Sequence, residues 1–340
     1  MTATKRPLRV GVYGTGTWAN RTHLPHLTRM PGVEVVAACD ANAIALQATA
    51  AQFAIPRTYT DGHAMLAAEE LDILFSVVPA FARTDVEAAA AAAGVHLFSE
   101  KPQATTMAVA RRIDAAVRRA GVMSTVCFRE RYRPLFQEAR RRLQGRQIVH
   151  AQFHSRGGLP PRQQDIAPDQ RDSWHNRMDQ AGGTAFDWGV HAVDYLRFMT
   201  GLDIDRAQAF YHHPAEYNKP LSCAFNLRFT TGATVALDFT ASGPAPAGQA
   251  PFTVFYVGGY LALFMYDRLE ENGEVVYRAE DFDPWLAQDG AFVAAVRSGD
   301  RRGILNDYHD GLASLAPVLA GWESARRGGE TIDVLAYAQE

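Results

Sequence analysis

The chain has 340 residues, 47% of them hydrophobic and 21% charged, enough for two globular domains with cores of their own. A formal net charge of −3 with both signs mixed along the chain gives no electrostatic footprint for nucleic acid or an acidic membrane surface. The start carries no apolar signal core and no later run reaches membrane-spanning length, so a cytoplasmic protein that does not engage a membrane is expected.

Leu8 to Tyr13 reads as a strand that runs directly into Gly14-Thr15-Gly16-Thr17-Trp18-Ala19 and then into a segment expected to be helical to about Met30. A G-x-G-x-x-A turn between strand and helix presents backbone amides to a pyrophosphate. A second strand, Val33 to Cys39, ends in Asp40, at the distance where an acid hydrogen-bonds the adenosine ribose of NAD and repels the extra phosphate of NADP. NAD is therefore the expected cofactor, with NADP disfavoured. Helix and strand signals then alternate: a helix over Ala43 to Phe53, a short strand near Thr58-Tyr59, an apolar strand from Ile73 to Val78, an alanine-rich helix stopped by Gly94, and a strand Val95 to Phe98. Repeated βαβ units with continuous apolar strands mean a parallel sheet covered on both faces. Ser99-Glu100-Lys101-Pro102 follows at the carboxyl end of that sheet, where open α/β folds bind ligands. A partly desolvated Lys101 near a nicotinamide suits a group that shares a proton, whereas a lysine at a loop tip would be merely solvated.

From about Gln147 the pattern changes to long alternating strands. A polar loop from Gly157 to Arg177 is expected to shape substrate access, and His154, Arg156, Trp174 and Arg177 are its candidate hydroxyl-binding groups. Next comes Gly182-Gly183 and a helical run through Met199, on which Asp187, His191 and Asp194 lie four and three residues apart and share one face. Such a face can be the polar side of a surface helix, a proton-transfer site in which a carboxylate holds the histidine tautomer, or a metal clamp lacking the second histidine of the familiar zinc helix. Gly189 is expected to let a flat ligand approach the backbone between Asp187 and His191. His212-His213 reads as a solvated turn. A hairpin with one buried face spans Ala224 to Phe239, and further strands over Phe252 to Val257 and Tyr260 to Tyr266, then the Asn272-Gly273 turn, extend an antiparallel sheet. Cys39, Cys127 and Cys223 are far apart in apolar, strand-like surroundings and are expected to be buried thiols.

The two motifs Glu100-Lys101-Pro102 and Gly182-Gly183-x-x-x-Asp187-x-Gly189-x-His191-x-x-Asp194, in this order behind the glycine turn, resemble the glucose-fructose oxidoreductase and inositol dehydrogenase family, Gfo/Idh/MocA. The likeness runs from Gly14 to the tail at Val334. It implies a Rossmann doubly wound parallel sheet over residues 1–125 and an open, mostly antiparallel sheet with helices on one face over 126–340, an α/β plus α+β architecture. It implies a catalytic set of Lys101, Asp187 and His191, which also contact substrate, and no metal. Gly14, Thr15, Gly16, Thr17, Trp18, Ala19, Asp40, Val78, Pro79, Glu100, Lys101 and Arg129 fall at cofactor-contacting positions. The expected activity is hydride transfer between NAD and a secondary hydroxyl of a sugar, cyclitol or similar polyol, in a homodimer or homotetramer joined through the second sheet. Alternatives within the same resemblance are glycoside cleavage by transient oxidation, and a regulator that senses nucleotide or sugar without chemistry. The chain departs from the family pattern at Val78-Pro79-Ala80 followed by Arg83, at Arg129 where an asparagine is usual, and at Trp174-His175.

Overall fold

The computed structural model describes residues 6–167, 180, 183–244 and 248–339. The chain divides into two compact units. The first comprises residues 1–104, 108–129 and 283–311, and the second residues 105–107, 130–282 and 312–340. A single cut near residue 125 therefore misses two segments: Thr105–Met107 belongs to the second unit and Asp283–Gly311 returns to the first.

The first unit is built on six parallel strands, β1 (Leu8–Tyr13), β2 (Val33–Cys39), β3 (Arg57–Tyr59), β4 (Ile73–Ser76), β5 (His96–Ser99) and β6 (Ser124–Val126), in the order β3-β2-β1-β4-β5-β6. That order, reversing between β1 and β4, creates the crevice at the carboxyl ends of the strands that dinucleotides use. Ile73, Leu74 and Phe75 are wholly buried, as a strand covered on both faces requires. The segment after the glycine turn is not a plain α-helix to Met30. It winds as a π-helical turn, Ala19–His23, in which the Leu24 N–H bonds Ala19 O, before the short helix α1 (Leu24–Leu27). The helix α2 (Ala43–Phe53) starts at Asn42, whose side chain accepts from the Ile44 and Ala45 N–H groups, and ends at Ala54 in the left-handed region. Helices α3 (Gly62–Ala68), α4 (Val86–Ala92) and α5 (Met107–Ala120) complete the crossovers.

In the second unit, after helix α6 (Pro134–Leu143), strands β7 (Ile148–Gly157), β8 (Ile204–His212), β9 (Ser222–Phe229), β10 (Thr234–Ala241), β11 (Phe252–Tyr256), β12 (Gly259–Phe264), β13 (Arg268–Glu271), β14 (Glu274–Arg278) and β15 (Ile332–Asp333) form one sheet. Its order is β14-β13-β12-β11-β7-β10-β9-β8-β15, antiparallel at every pairing except β7 with β10. The Asn272-Gly273 turn has both residues at positive φ, 54° and 88°, the geometry a two-residue hairpin selects. Helix α7 (Gly183–Thr200) lies on the face of this sheet that carries Phe153, Leu237, Phe239 and Phe252, and Tyr195 and Phe136 stack into the same apolar layer. Each such buried ring contributes about 2 kcal/mol of burial free energy. Three further helices follow, α8 (Pro284–Ser298) in the first unit, α9 (Tyr308–Arg326) and the short α10 (Val334–Tyr337). Among the described residues no helix is long and apolar enough to cross a membrane. Cys39, Cys127 and Cys223 are buried free thiols, and burial first of all pushes each one up to about 12.

Candidate active site

The glycine turn has the build of a nucleotide cradle. Gly14 sits at φ +99°, and a Cβ there would lie 2.7 Å from Val78 N and 2.8 Å from the Val77 carbonyl carbon, so backbone from β1 and from the loop after β4 meet where a side chain would stand. At Gly16 a Cβ would meet nothing within 4 Å, leaving the turn open above it. Asp40 leaves β2 beside this turn: one carboxylate oxygen accepts from Thr15 N at 2.7 Å and Thr15 Oγ at 3.2 Å, the other from Asn42 N at 2.8 Å. Asn20, which the sequence reading overlooked, donates to Thr15 O at 2.7 Å and Gly16 O at 3.0 Å and braces the turn from behind. These residues fit a dinucleotide, with room above Gly16 and an acid poised at the ribose position.

Val78 is held by Arg83, one of the positions that departs from the family pattern. Its guanidinium is buried, donates to Val78 O at 3.0 Å, and also hydrogen-bonds Ser99 Oγ at the end of β5. Arg129, another departure, lies 4.2 Å over the Trp285 ring, and Trp285 meets Trp18 edge-on at 5.9 Å. Trp18 and Arg129, expected at the cofactor, are thus joined through an indole that no sequence motif pointed to.

Behind Lys101 lies a buried charge cluster. Glu100 Oε1 accepts from Trp18 Nε1 at 3.0 Å and contacts His23 Nε2 at 3.1 Å, while Glu100 Oε2 accepts the Lys101 backbone N–H at 2.9 Å. The other nitrogen of His23 contacts both Asp289 oxygens, at 3.0 and 3.1 Å, and Asp289 in turn contacts His26. The π-helical turn makes this possible. In an α-helix Trp18 and His23, five apart, would point about 140° away from each other, whereas a turn closed by i to i+5 bonds brings them to the same carboxylate oxygen. Burial disfavours a charged His23, but Asp289, Cys127 and Glu100 outweigh it and hold the imidazole well above its ordinary proton affinity. Burial likewise works against the Glu100 anion, and the bond and charge of His23, with Lys101 nearby, overcome it and hold the carboxyl well below its ordinary range.

His23 is raised above its unfolded value of 6.5, so its contribution is complete below that pH and is lost as pH rises through the folded value. Glu100 is lowered from 4.5 to about 2, so its contribution is complete above 4.5 and is lost as pH falls toward 2. Melting temperature measured against pH should therefore peak between about 5 and 6.5 and decline on both sides. In Asp289→Asn the alkaline decline should be smaller and complete at lower pH, because the folded value falls toward the unfolded 6.5; a profile identical to wild type would contradict this account.

In the second unit, α7 presents Asp187 to solvent and buries His191 to 3% exposure. Tyr195, one turn on, shares a hydrogen bond of 2.9 Å with His191 Nδ1 and stacks on its ring, and Trp188 packs at 5.6 Å. Asp194 belongs to the scaffold: Arg131 grips it bidentately at 2.6 and 3.0 Å, and Ser314 donates to it at 2.8 Å. Gly189 corrects an expectation. A Cβ there would meet Val318 of α9 at 3.2 Å and Phe239 of β10 at 3.8 Å, so this glycine serves helix packing against the core and opens no path for a ligand. His154 and Arg156 alternate with buried Phe153, which turns them to the sheet face opposite α7, where both bond Asp238 of β10. The structure does not bring them together with His191. Trp174, His175, Arg177 and Gly182 lie outside the described residues.

Comparison with known proteins covers both units. The model of the GFO_IDH_MocA oxidoreductase family, NAD-binding Rossmann fold, matches residues 8–128, and that of the GFO/IDH/MocA C-terminal domain matches residues 136–261. A D-apiose dehydrogenase of Paraburkholderia graminis is 32% identical over 61% of this chain and 53% of its own length. The scyllo-inositol 2-dehydrogenase (NAD(+)) of Bacillus subtilis is 24% identical over 71% of this chain and 69% of its own. The chain spans about half the length of the curated relatives it matches, such as the D-apiose dehydrogenase. Among solved structures, the WlbA dehydrogenase of Bordetella pertussis in complex with NADH and UDP-GlcNAcA superposes with a TM-score of 0.79 at 25% identity, over 96% of this chain and 99% of that one.

Proposed function

Because the chain belongs to the GFO/IDH/MocA oxidoreductase family, with an NAD-binding Rossmann domain as its first unit, we propose that it is an NAD-dependent dehydrogenase of a sugar, cyclitol or related polyol. The observation that carries this reading is the retention of Lys101, Asp187 and His191 in a chain whose glycine turn and Asp40 are built for NAD.

When bound, the nicotinamide supplies the acceptor for a hydride leaving the carbon that bears the reacting hydroxyl. The protein's own groups handle the proton. Tyr195 occupies His191 Nδ1, so proton exchange with the hydroxyl falls to Nε2, and burial keeps the ring away from competing water. Lys101 hydrogen-bonds the oxygen as negative charge develops on it, which lowers the barrier more than it tightens ground-state binding. Asp187 orients the substrate hydroxyls at the start of α7. Trp174 and Arg177 are retained as candidate substrate contacts from the sequence, whereas His154 and Arg156, on the other sheet face, are reassigned to a surface between copies of the chain. That face, polar and centred on the Asp238 cluster, supports a homodimer or homotetramer through the second sheet. Three reduced, buried thiols suit a cytoplasmic setting.

The deciding assay incubates the protein with NAD or NADP across monosaccharides, cyclitols and glycosides, following nicotinamide reduction and product release together. Net NADH with a polyol is expected; bond cleavage without NADH, or NAD binding with no turnover on any substrate, would overturn the dehydrogenase assignment. Asp40 sets the cofactor. Asp40→Ala combined with Ala41→Arg should move the NAD to NADP preference by at least about tenfold, ~1.4 kcal/mol, and wild-type protein with equal affinity for both would refute the role given to this carboxylate.

A further inference from the structure

The first unit holds a buried titratable histidine that the proposed chemistry leaves unused. His23 is fully buried, with Phe75 and Phe98 rings at 5.8 and 5.1 Å, between a carboxylate at the end of β5 and one on α8. Its Glu100 partner has no oxygen to spare for a loose role. One oxygen is shared by Trp18 of the nucleotide turn and His23, and the other takes the backbone N–H of Lys101. A single side chain thereby ties the nucleotide turn to the lysine at the chemistry, and His23 with Asp289 is what fixes that side chain from behind. His23, Glu100 and Cys127 also offer ligand atoms within 4.8 Å of one another, as a metal site would. A protonated ring between two carboxylates supplies the positive charge that such a cluster demands and uses both nitrogens as donors, the more economical reading of the contacts.

We propose that His23 and Asp289 are positioning residues for Lys101: held between two carboxylates, His23 locks Glu100, and Glu100 fixes both the Lys101 backbone and the Trp18 indole. The inference rests on the reading that Lys101 acts at the reacting oxygen. It assigns His23 no contact with substrate. The charged and titratable groups that face the ring are Asp289 from α8, Glu100 from the loop after β5, Cys127 from the segment after β6 and His26 from α1, while Lys101 acts on Glu100 and Arg129 on Cys127. Of these, Asp289 contributes most to keeping the ring protonated, so Asp289→Asn, which preserves shape, lets the ring lose its proton at lower pH than in wild type.

Two readouts test this on the full chain. The protein has three lysines, Lys5, Lys101 and Lys219, so reductive methylation with carbon-13 formaldehyde gives a small set of methyl signals, with Lys101 identified by Lys101→Arg. In Asp289→Asn the Lys101 signal should step with pH at the same midpoint as the His23 ring signals, and the step should be absent in His23→Gln and in wild type near neutrality. A Lys101 signal indifferent to His23 titration would overturn the proposal. The second readout is turnover with NAD and a polyol. In Asp289→Asn, kcat should match wild type below that midpoint and fall about 10²-fold above it, with NAD affinity held within a few-fold. A pH-independent loss of kcat, or loss of NAD binding, would mean a merely structural role and overturn it. Should Asp289→Asn fail to fold, His23→Gln carries the test: a displaced Lys101 signal with reduced kcat is expected, and an unchanged signal refutes. Wild-type protein inert toward every polyol would defeat the dehydrogenase assignment, and the methyl signals would still decide this one.

Discussion

Alanine at His191 should cut turnover by about 10²- to 10⁴-fold while NAD affinity stays within a few-fold of wild type, and Lys101→Ala should do the same. The two losses have different origins. In the proposed mechanism His191→Ala removes the group that takes the hydroxyl proton at Nε2, and it leaves Tyr195 without its hydrogen-bonded ring partner. Tyr195→Phe is therefore the informative companion: it keeps the stacked ring, releases Nδ1, and should lower kcat by a smaller factor while changing its pH dependence. Lys101→Ala removes the proposed donor to the developing oxyanion and should depress kcat and kcat/KM together, the mark of an interaction made in the transition state. Since both groups are proposed to act on one hydroxyl, the double variant should lose much less than the product of the single effects. Steady-state kinetics with NAD and the best polyol, alongside NAD titration, checks all of this. Full turnover in either single variant would remove that residue from the mechanism.

The largest effect on stability is expected at Asp194, three residues beyond His191. Arg131 grips it from two nitrogens, both side chains are almost wholly buried, and Ser314 links it to Arg197. Asp194→Ala strands an arginine charge in the interior, which costs about 3–5 kcal/mol, a large part of the 5–15 kcal/mol that stabilises an ordinary domain. For a unit of this size the melting transition should drop by on the order of 10 °C, and the variant should accumulate in insoluble form at growth temperature. Replacing Asp194 and Arg131 together by apolar residues of similar volume should restore much of the loss, since the stranded charge is then gone. A melting point within a degree or two of wild type for Asp194→Ala would show that solvent reaches this pair.

Much of this was legible from residue patterns alone. The strand, glycine turn and Asp40 specify a nucleotide site because turn, helix and acid are local in sequence, and the hairpins announce themselves through period-two alternation and Asn272-Gly273. The helix that carries Asp187 and His191 is legible in the sequence, because their four-residue spacing is a property of one helix. What escaped notice depends on distant segments. Nothing about Asp289 within α8 indicates that it faces His23, 266 residues earlier in the chain. Gly189 looked like a ligand approach because its neighbours are chemical, and only the position of Val318 shows that it serves packing. The π-helical turn was missed because one extra residue per turn leaves almost no mark on hydrophobic spacing. His154 and Arg156 were misplaced for a simpler reason: alternation fixes which residues share a face, not which face meets the helix.

The return of Asp283–Gly311 to the first unit has a consequence for how the protein is made. The side chains of Gln288 and Asn306 each donate to Val126 O at 2.8 Å, and the Tyr308 N–H donates to Ser124 Oγ at 3.1 Å, so the edge strand β6 is sealed by residues from this late segment. On the ribosome, β1 to β6 emerge first and then wait while roughly 150 further residues are synthesised, about 8–30 s at ordinary elongation rates. Throughout that interval the nascent nucleotide-binding sheet has an uncapped edge and a histidine lacking one of its two carboxylates. An expression fragment stopped near residue 129 would make that transient state permanent, and its failure to fold would say nothing about the intact protein.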